Sequence, residues 1–396
     1  MPDAGTTSRA PGLDDGTTSP VLARAVTEQL ASVQDPEIRR PITELDMVAG
    51  VEVKSGVATV GIRLTVSGCP MRDRLTADVT SAALRVPGVT DARVSFTVMT
   101  DEQRDALKTK LRGGIAAKTN QFSSPDSLTK VYAVASGKGG VGKSSVTANL
   151  AVSLAGKGVK VGVVDADVYG HSLPAMFGVP DARPTRVDDM IMPIQAHGVR
   201  LISVGMMKPR REQVIAWRGP MLDKALTQML SDVYWGDLDV LLLDLPPGTG
   251  DVAISVGQQL GGSDVLVVTT PQDGAAEVAE RAGTMASMLE QKVIGVVENM
   301  SYLPCPHCGD AHRIDVFGSG GGNRVARTLT ERLGYDVPLL AEVPLDPRLG
   351  SAADQGRPMV VSDPDAPAAR ALASVADLLA SQRRGLAGKR LGLSPV

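Results

Sequence analysis

The sequence predicts an α/β fold: a mostly parallel sheet covered by helices, preceded by a small α+β domain. Three observations carry this. From residue 131 short β-branched runs (VYAVAS, VKVGVVDAD, DVLLLDLPP, DVLVVTTP and KVIGVVENM) recur between helical stretches, each ending in polar or turn residues. Continuous apolar strands alternating with helices are buried on both faces, as parallel sheets are. Between the first such strand and the next helix, residues 137–145 read Gly-Lys-Gly-Gly-Val-Gly-Lys-Ser-Ser, a phosphate-cradling spacing. Upstream, residues 20–100 show another rhythm, in which helices and strands mix without the repeat.

Taken in order, residues 1–19 are rich in Gly, Pro, Ser, Thr and Asp, a composition that predicts disorder. Val21–Val33 has helical spacing, with Leu22, Val26, Leu30 and Val33 apolar. Strands follow at Val48–Val53, Val57–Leu64 and Val94–Thr97, and a helix at Arg72–Leu84. Residues 101–128, with KTKLRGG and SSPDS, suit an exposed linker. Residues 129–385 hold the strand–helix repeats. They include a helix over Ser144–Gly156 and a last one over Ala366–Ser381. Residues 386–396 end a short basic tail. Because ligands of parallel sheets bind beyond the carboxyl ends of the strands, the polar strand ends are expected to meet at one edge.

The chain has 396 residues, 43% hydrophobic and 21% charged, ordinary for a soluble globular protein. A net charge of -3 gives no basic field for nucleic acid or an anionic membrane, and 3% aromatics leave little for base stacking. The N-terminus has neither a basic start nor an apolar run, and no stretch approaches membrane-spanning length, so the cytoplasm is the expected location. Three cysteines, Cys69, Cys305 and Cys308, make no disulfide scaffold; a C-x-x-C pair points instead to metal or redox chemistry.

Gly137, Gly142, Lys143 and Ser144 satisfy the P-loop pattern, so the fold class is that of a P-loop NTPase. Gly137, Gly139, Gly140 and Gly142 allow the backbone, including Lys138, Val141 and Ser145, to approach phosphate closely, and the N–H groups with the helix N-terminus form an anion nest. Lys143 is expected to reach the β- and γ-phosphates and Ser144 to ligate Mg²⁺. Asp244, ending a strand before DLPPGTGD, fits a carboxylate holding Mg²⁺ through water. Asp165 is read into the metal shell and Asp167 as the residue that positions the attacking water. Asn299 replaces a guanine-reading motif and is the expected base contact, favouring ATP over GTP.

These blocks carry a resemblance. Gly137–Ser145 with Lys138 resembles the deviant Walker A motif of the family that includes the ParA and MinD partitioning ATPases, the nitrogenase iron protein and the Mrp/ApbC proteins. DADVYGHSLPAMFG, DLPPGTGD, TTPQ (269–272), VVENMSY (296–302), CPHCG (305–309) and FGSGGG (317–322) together resemble the Mrp/ApbC-type iron–sulfur carriers over residues 130–385. DPEI (35–38), ELDMV (44–48), LTVSGCP (64–70) and VPGV (86–89) resemble a MIP18 (DUF59) domain over 20–100. His171 stands where the family commonly has proline, and GAAEVAERA follows TTPQ where aliphatic residues are more usual; both departures bear on helix packing and partner contacts.

The resemblance implies that Lys138 reaches the phosphates of a second subunit in a nucleotide-sandwich homodimer. A cation on a Gly-rich loop suits that catalytic task, as an arginine finger does. Cys305 and Cys308 offer two thiolates per chain. A [4Fe–4S] cluster usually takes four, which a two-fold dimer would supply. Zn²⁺ is the competing reading, with Cys305, Cys308, His307 or His312 in one chain. Cys69, near Asp35 and Glu37 in the motif sense, is either buried filler or a reactive thiol. The expected function is an ATP-hydrolysing carrier of a labile cluster. Its partners would be apo iron–sulfur proteins and a cluster-assembly scaffold, not nucleic acid or membrane. The rivals are a MinD/ParA-like positioning ATPase and an electron-transferring reductase.

Overall fold

The structure is a computed structural model describing residues 19–65, 71–111, 120–124, 127–168, 170–207 and 219–382. The expectations for the N-terminal segment, for Cys69 and for the basic tail lie outside the described residues. The chain divides into two compact units, Met1–Ala116 with Arg186–Asp188, and Ala117–Thr185 with Asp189–Val396.

In the first unit α1 (Pro20–Gln29) begins where Ser19 Oγ accepts from the Leu22 amide, with proline at the first helical position. β1 (Val48–Lys54) and β2 (Val57–Leu64) form an antiparallel hairpin. Its two-residue turn is Ser55-Gly56, both at positive φ (48° and 79°), which matches the twist of the strands. α2 (Arg72–Leu84) is the crossover that lets β3 (Asp91–Val98) pair parallel with β2. Ala58, Val60, Ile62 and Leu64 alternate into the core. The DPEI motif proves to be a local turn: Asp35 Oδ1 accepts from the amides of Glu37 at 3.0 Å and Ile38 at 2.8 Å. Burial raises this carboxyl above its usual range. α3 (Asp101–Leu111) is helical where a linker was expected; acidic residues open it, lysines close it, and Leu107 is its buried anchor.

The second unit contains β4 (Lys130–Ser136), α4 (Lys143–Gly156), β5 (Val161–Asp165), β6 (Ile194–Ala196), β7 (Val199–Ser203), α5 (Gly219–Ser231), β8 (Val240–Asp244) and α6 (Asp251–Gln259). It continues through β9 (Asp264–Thr269), α7 (Asp273–Met288), β10 (Lys292–Asn299), β11 (Leu303–Cys305), β12 (Gly309–Ile314), α8 (Gly321–Leu333), β13 (Leu339–Val343), α9 (Pro347–Asp354) and α10 (Pro367–Ser381). Eight strands form one sheet in the order β13-β10-β9-β4-β8-β5-β7-β6. All neighbours are parallel except the edge pair β6–β7.

Both faces of the sheet are buried. On one, Ala133, Ala135, Leu241, Leu243, Val265 and Val267 pack with Leu226 and Leu230 of α5, Val256 of α6, Ala279 of α7 and Leu329 of α8. On the other, Tyr132, Val134, Val163, Leu242 and Val268 pack with Leu150 and Leu154 of α4 and Leu372, Val375 and Leu379 of α10. The alternation along each strand is the period of two that places successive side chains on opposite faces. The α/β fold class is borne out. β4 sits between β9 and β8; the strands that follow it through β8 lie on one side and those from β9 onward on the other, a reversal that marks the switch point at which such sheets bind ligands. No helix among the described residues is long and apolar enough to cross a membrane.

Candidate functional site

The register of the parallel strands aligns their polar ends. Asp244 of β8 stands beside Asp165 of β5 and Val134 of β4, and Asn299 ends β10 on the other side. The P-loop leaves β4 at this edge and runs into α4. Gly140 and Gly142 hold φ of 81° and 80°, a left-handed conformation that favours glycine, and Gly142 caps the helix. Gly137 is required for another reason. A Cβ there would lie 2.3 Å from the Val278 carbonyl carbon and 2.4 Å from the Ala279 nitrogen, so α7 rests directly on the loop. It comes this close because its inner face is Ala275, Ala276, Ala279, Ala282 and Gly283, which gives GAAEVAERA a packing role.

A cleft of about 710 Å³ opens over the loop, within the usual size of small-molecule sites. The backbone from Lys138 to Ser145 lines it, with Asp167, Pro246, Pro247 and Asp251. Below it Asp244 is fully buried and gathers three donors: Lys143 Nζ at 2.7 Å, Ser144 Oγ at 2.6 Å and Thr147 Oγ1 at 2.7 Å. Asp165, also fully buried, accepts from Ser203 Oγ at 3.0 Å and from the Asp167 amide at 3.3 Å. Burial, then the neighbouring Asp244 charge, push its carboxyl up to about 8 against the pull of Ser203 and Lys143. Asp167 Oδ1 accepts from the Gly170 amide at 2.9 Å at the cleft wall.

Lys138 donates to Gln272 Oε1 at 2.9 Å, which holds it against the start of α7 in its own chain. Asn299 is buried beneath the loop: its Nδ2 donates to the Val141 carbonyl at 2.9 Å, while its Oδ1 is buried without a hydrogen-bond partner. Asn299 is therefore not on the wall of the cleft, as a base contact was expected to be; its amide nitrogen supports the P-loop.

The residues present fit a nucleotide and its metal. A nest of backbone amides with left-handed glycines suits phosphate. A serine hydroxyl and two carboxylates suit a hard cation such as Mg²⁺.

Two residues beyond Asn299 the chain turns into the hairpin β11–β12. Ser301 donates from its amide to Val343 at 2.9 Å and from its hydroxyl to Glu298, whose other oxygen accepts from the Gly322 amide at the start of α8. Tyr302 lies 4.0 Å under the Arg313 guanidinium, which pairs with Glu342 at 3.1 Å. Cys305 and Cys308 flank the hairpin turn, half-buried and exposed. Amide hydrogen bonds from His307 and Cys308, then the Cys308 thiol, lower the Cys305 thiol below its usual value; donating that bond raises Cys308. Their sulfurs and a His312 ring nitrogen lie within 4.8 Å of one another.

The predicted residues of the phosphate site therefore come together, and the cysteine pair forms a separate, more exposed centre. Sequence reasoning missed Thr147, Ser203, Gln272 and Glu298. Thr147 had a signal, since four residues after Lys143 it shares that side of α4. Gln272 had a weaker one, inside the TTPQ block.

Comparisons with known proteins show what the chain as a whole is similar to. The NUBPL iron-transfer P-loop NTPase family matches residues 127–380, and a family described as iron-sulfur cluster assembly protein matches residues 23–96. The iron-sulfur cluster carrier protein of Mycobacterium tuberculosis is 54% identical over 382 residues, 96% of this chain and 99% of that protein. The protein of the same name from Deinococcus radiodurans is 44% identical over 359 residues, 90% of this chain and 95% of its own. Among solved structures, a nucleotide-binding protein of Archaeoglobus fulgidus in complex with ADP, in which cobalt was found, superposes with a TM-score of 0.51 at 36% identity. It covers 61% of this chain and 93% of its own.

Proposed function

We propose, for a chain that belongs to the NUBPL iron-transfer P-loop NTPase family, that it binds and hydrolyses ATP while carrying a labile [4Fe–4S] cluster to apo-proteins. The observation that supports this best is the pair of thiols, Cys305 and Cys308, on a hairpin that leaves the strand whose end, Asn299, braces the P-loop.

Each residue then has a task. The P-loop amides and Lys143 bind the phosphates, and Lys143 trades its present partner, Asp244, for them. Ser144, Asp244 and Asp165 hold Mg²⁺, which when bound neutralises phosphate charge. Asp167, at the cleft wall, orients water for attack on the γ-phosphate. Lys138 leaves Gln272 for the phosphates of a second copy, where its charge is needed only as the transition state forms. Asn299 braces the P-loop from beneath through the Val141 carbonyl, which keeps the phosphate nest in shape.

Two thiolates per chain fall short of the four that a [4Fe–4S] cargo usually takes, so the functional unit is a homodimer with one cluster between two hairpins. The exposed Cys308 suits a cargo that must be released to an apo-protein. Anaerobic reconstitution with iron and sulfide tests the reading. The expected result is a brown protein with about four irons and four sulfides per two chains, which loses its colour to an added apo-ferredoxin. A protein that stays colourless and takes up no sulfide overturns it.

A further inference from the structure

We propose that His312 is a third protein ligand of the Cys305–Cys308 centre, so that one chain presents a Cys₂His face able to hold a divalent transition ion without a second copy. This rests on the reading of the cysteine pair as the metal-holding site, and it adds a ligand and a stoichiometry.

The hairpin ladder carries the argument. Leu303 faces Ile314 and Pro304 faces Arg313, but Cys305 then faces Gly309. Residues 310–312 are thus extra on the second strand, a bulge between the ladder and the turn. Bulges re-aim side chains at functional sites. Here the result is that the His312 ring nitrogen and both sulfurs fall within 4.8 Å of one another. Among the described residues no other trio of His, Cys, Asp or Glu gathers this closely. His307, although it lies in the turn between the two cysteines, is not in the trio.

The spacing is close to what a metal requires. With metal–sulfur bonds of about 2.3 Å and metal–nitrogen bonds of about 2.0 Å, the donors of a tetrahedral site stand roughly 3.3–3.8 Å apart. Small side-chain rotations on an exposed hairpin close the remaining gap. Two thiolates and an imidazole select borderline ions of the Zn²⁺, Co²⁺ and Fe²⁺ kind over Mg²⁺ or Ca²⁺. Three protein donors also leave one tetrahedral position open to a ligand from another molecule. The base of the hairpin is fixed by the Tyr302–Arg313–Glu342 stack, so the three donors stand on a braced support.

The test is Co²⁺ titration of the reduced, metal-free, full-length protein without nucleotide, read by visible absorption and by X-ray absorption at the metal edge. The wild type is expected to bind one Co²⁺ per chain in a tetrahedral thiolate site with two sulfurs and nitrogen. His312→Ala should weaken binding by at least about 10- to 100-fold, the cost known for losing even an indirect partner of a metal, and should lose the nitrogen signal. His307→Ala should bind as the wild type does, and His312→Cys should restore affinity with three sulfurs. ATP binding by each variant confirms that it is folded. An unchanged affinity in His312→Ala while Cys305→Ser abolishes binding overturns the third ligand and spares the cysteine pair. One ion per two chains with four sulfurs does the same. A wild type with no thiolate–cobalt absorption overturns the pair and the proposal together.

Discussion

Thr147 offers the sharpest test of how the phosphate site is held before nucleotide arrives. Its hydroxyl lies 2.7 Å from Asp244 Oδ1 and 3.0 Å from the Lys143 carbonyl, yet it has one proton to give. The charged, shorter contact takes it. Thr147→Val keeps the shape and removes that donor, leaving one oxygen of a fully buried carboxylate unsatisfied. A hydrogen bond to a charged group is worth about 1.5–3 kcal/mol. In a unit of this size each kcal/mol moves the melting temperature by about 2–4 °C, so a loss of about 3–12 °C is expected. Thr147→Ser, which retains the hydroxyl, should recover most of it. Thr147 does not line the cleft, so the deficit should persist when ATP and Mg²⁺ are present. Urea unfolding followed by circular dichroism reads the difference directly. A Thr147→Val midpoint within the error of the wild type would show that Lys143 and Ser144 alone satisfy Asp244, and the network argument would fail.

Gly137→Ala, whose Cβ meets the α7 backbone at 2.3 Å, should cost about 1–3 kcal/mol or more and displace the loop; Gly140→Ala, with nothing within 4 Å but φ of 81°, should cost about 1 kcal/mol. Equal melting temperatures for the two would refute the distinction. Asp165 holds its proton up to about pH 8 in the fold but only to about 4 when unfolded, so its stabilising contribution is full below pH 4 and is lost as pH rises to 8. Metal-free wild type should therefore lose stability from pH 5 to 8 on the order of 1 kcal/mol per unit relative to Asp165→Asn, and parallel urea midpoints across that range would contradict it. Cys305→Ala should lose iron in reconstitution but retain ATP affinity, since the pair is separate from the cleft; loss of both would make the pair structural.

The parallel sheet and P-loop were legible in the sequence because both are local. Apolar runs such as Val240–Leu243 and the glycine spacing of 137–142 need no partner to be recognised. What escaped depends on which element arrives from a distance. Nothing around Gly137 announces that the α7 backbone lies against it; the small residues of GAAEVAERA make sense only once that approach is seen. Asn299 ends a strand as expected, but its amide turns under the loop, where Nδ2 donates to the Val141 carbonyl, a partner far away in sequence. The edge hairpin β6–β7 is short, five residues at most per strand, and its alternation is too brief to stand out from a loop. α3 was hidden by the polar residues that keep its outer face in water, with Leu107 alone buried.

The segment between the two centres constrains how they communicate. Asn299 is tied to the P-loop at Val141, Ser301 to β13 at Val343, and the Tyr302 carbonyl accepts from Leu345 at 2.7 Å. Glu298, buried behind them, ties the same corner to the start of α8. A segment held at Glu298, Asn299, Ser301 and Tyr302 is tied to the sheet, because shifting it would strand buried polar groups. The base of the hairpin is thus tied to the sheet, and its tip carries the exposed Cys308. A swing of the hairpin within one chain is a poor way to release a cargo shared between two. In the proposed dimer, a change in the spacing of two copies, driven by Lys138 moving from Gln272 to a partner's phosphates, would alter the distance between two thiol pairs while leaving every one of these bonds intact. Under the proposed dimer, the nucleotide acts on the cargo through the interface.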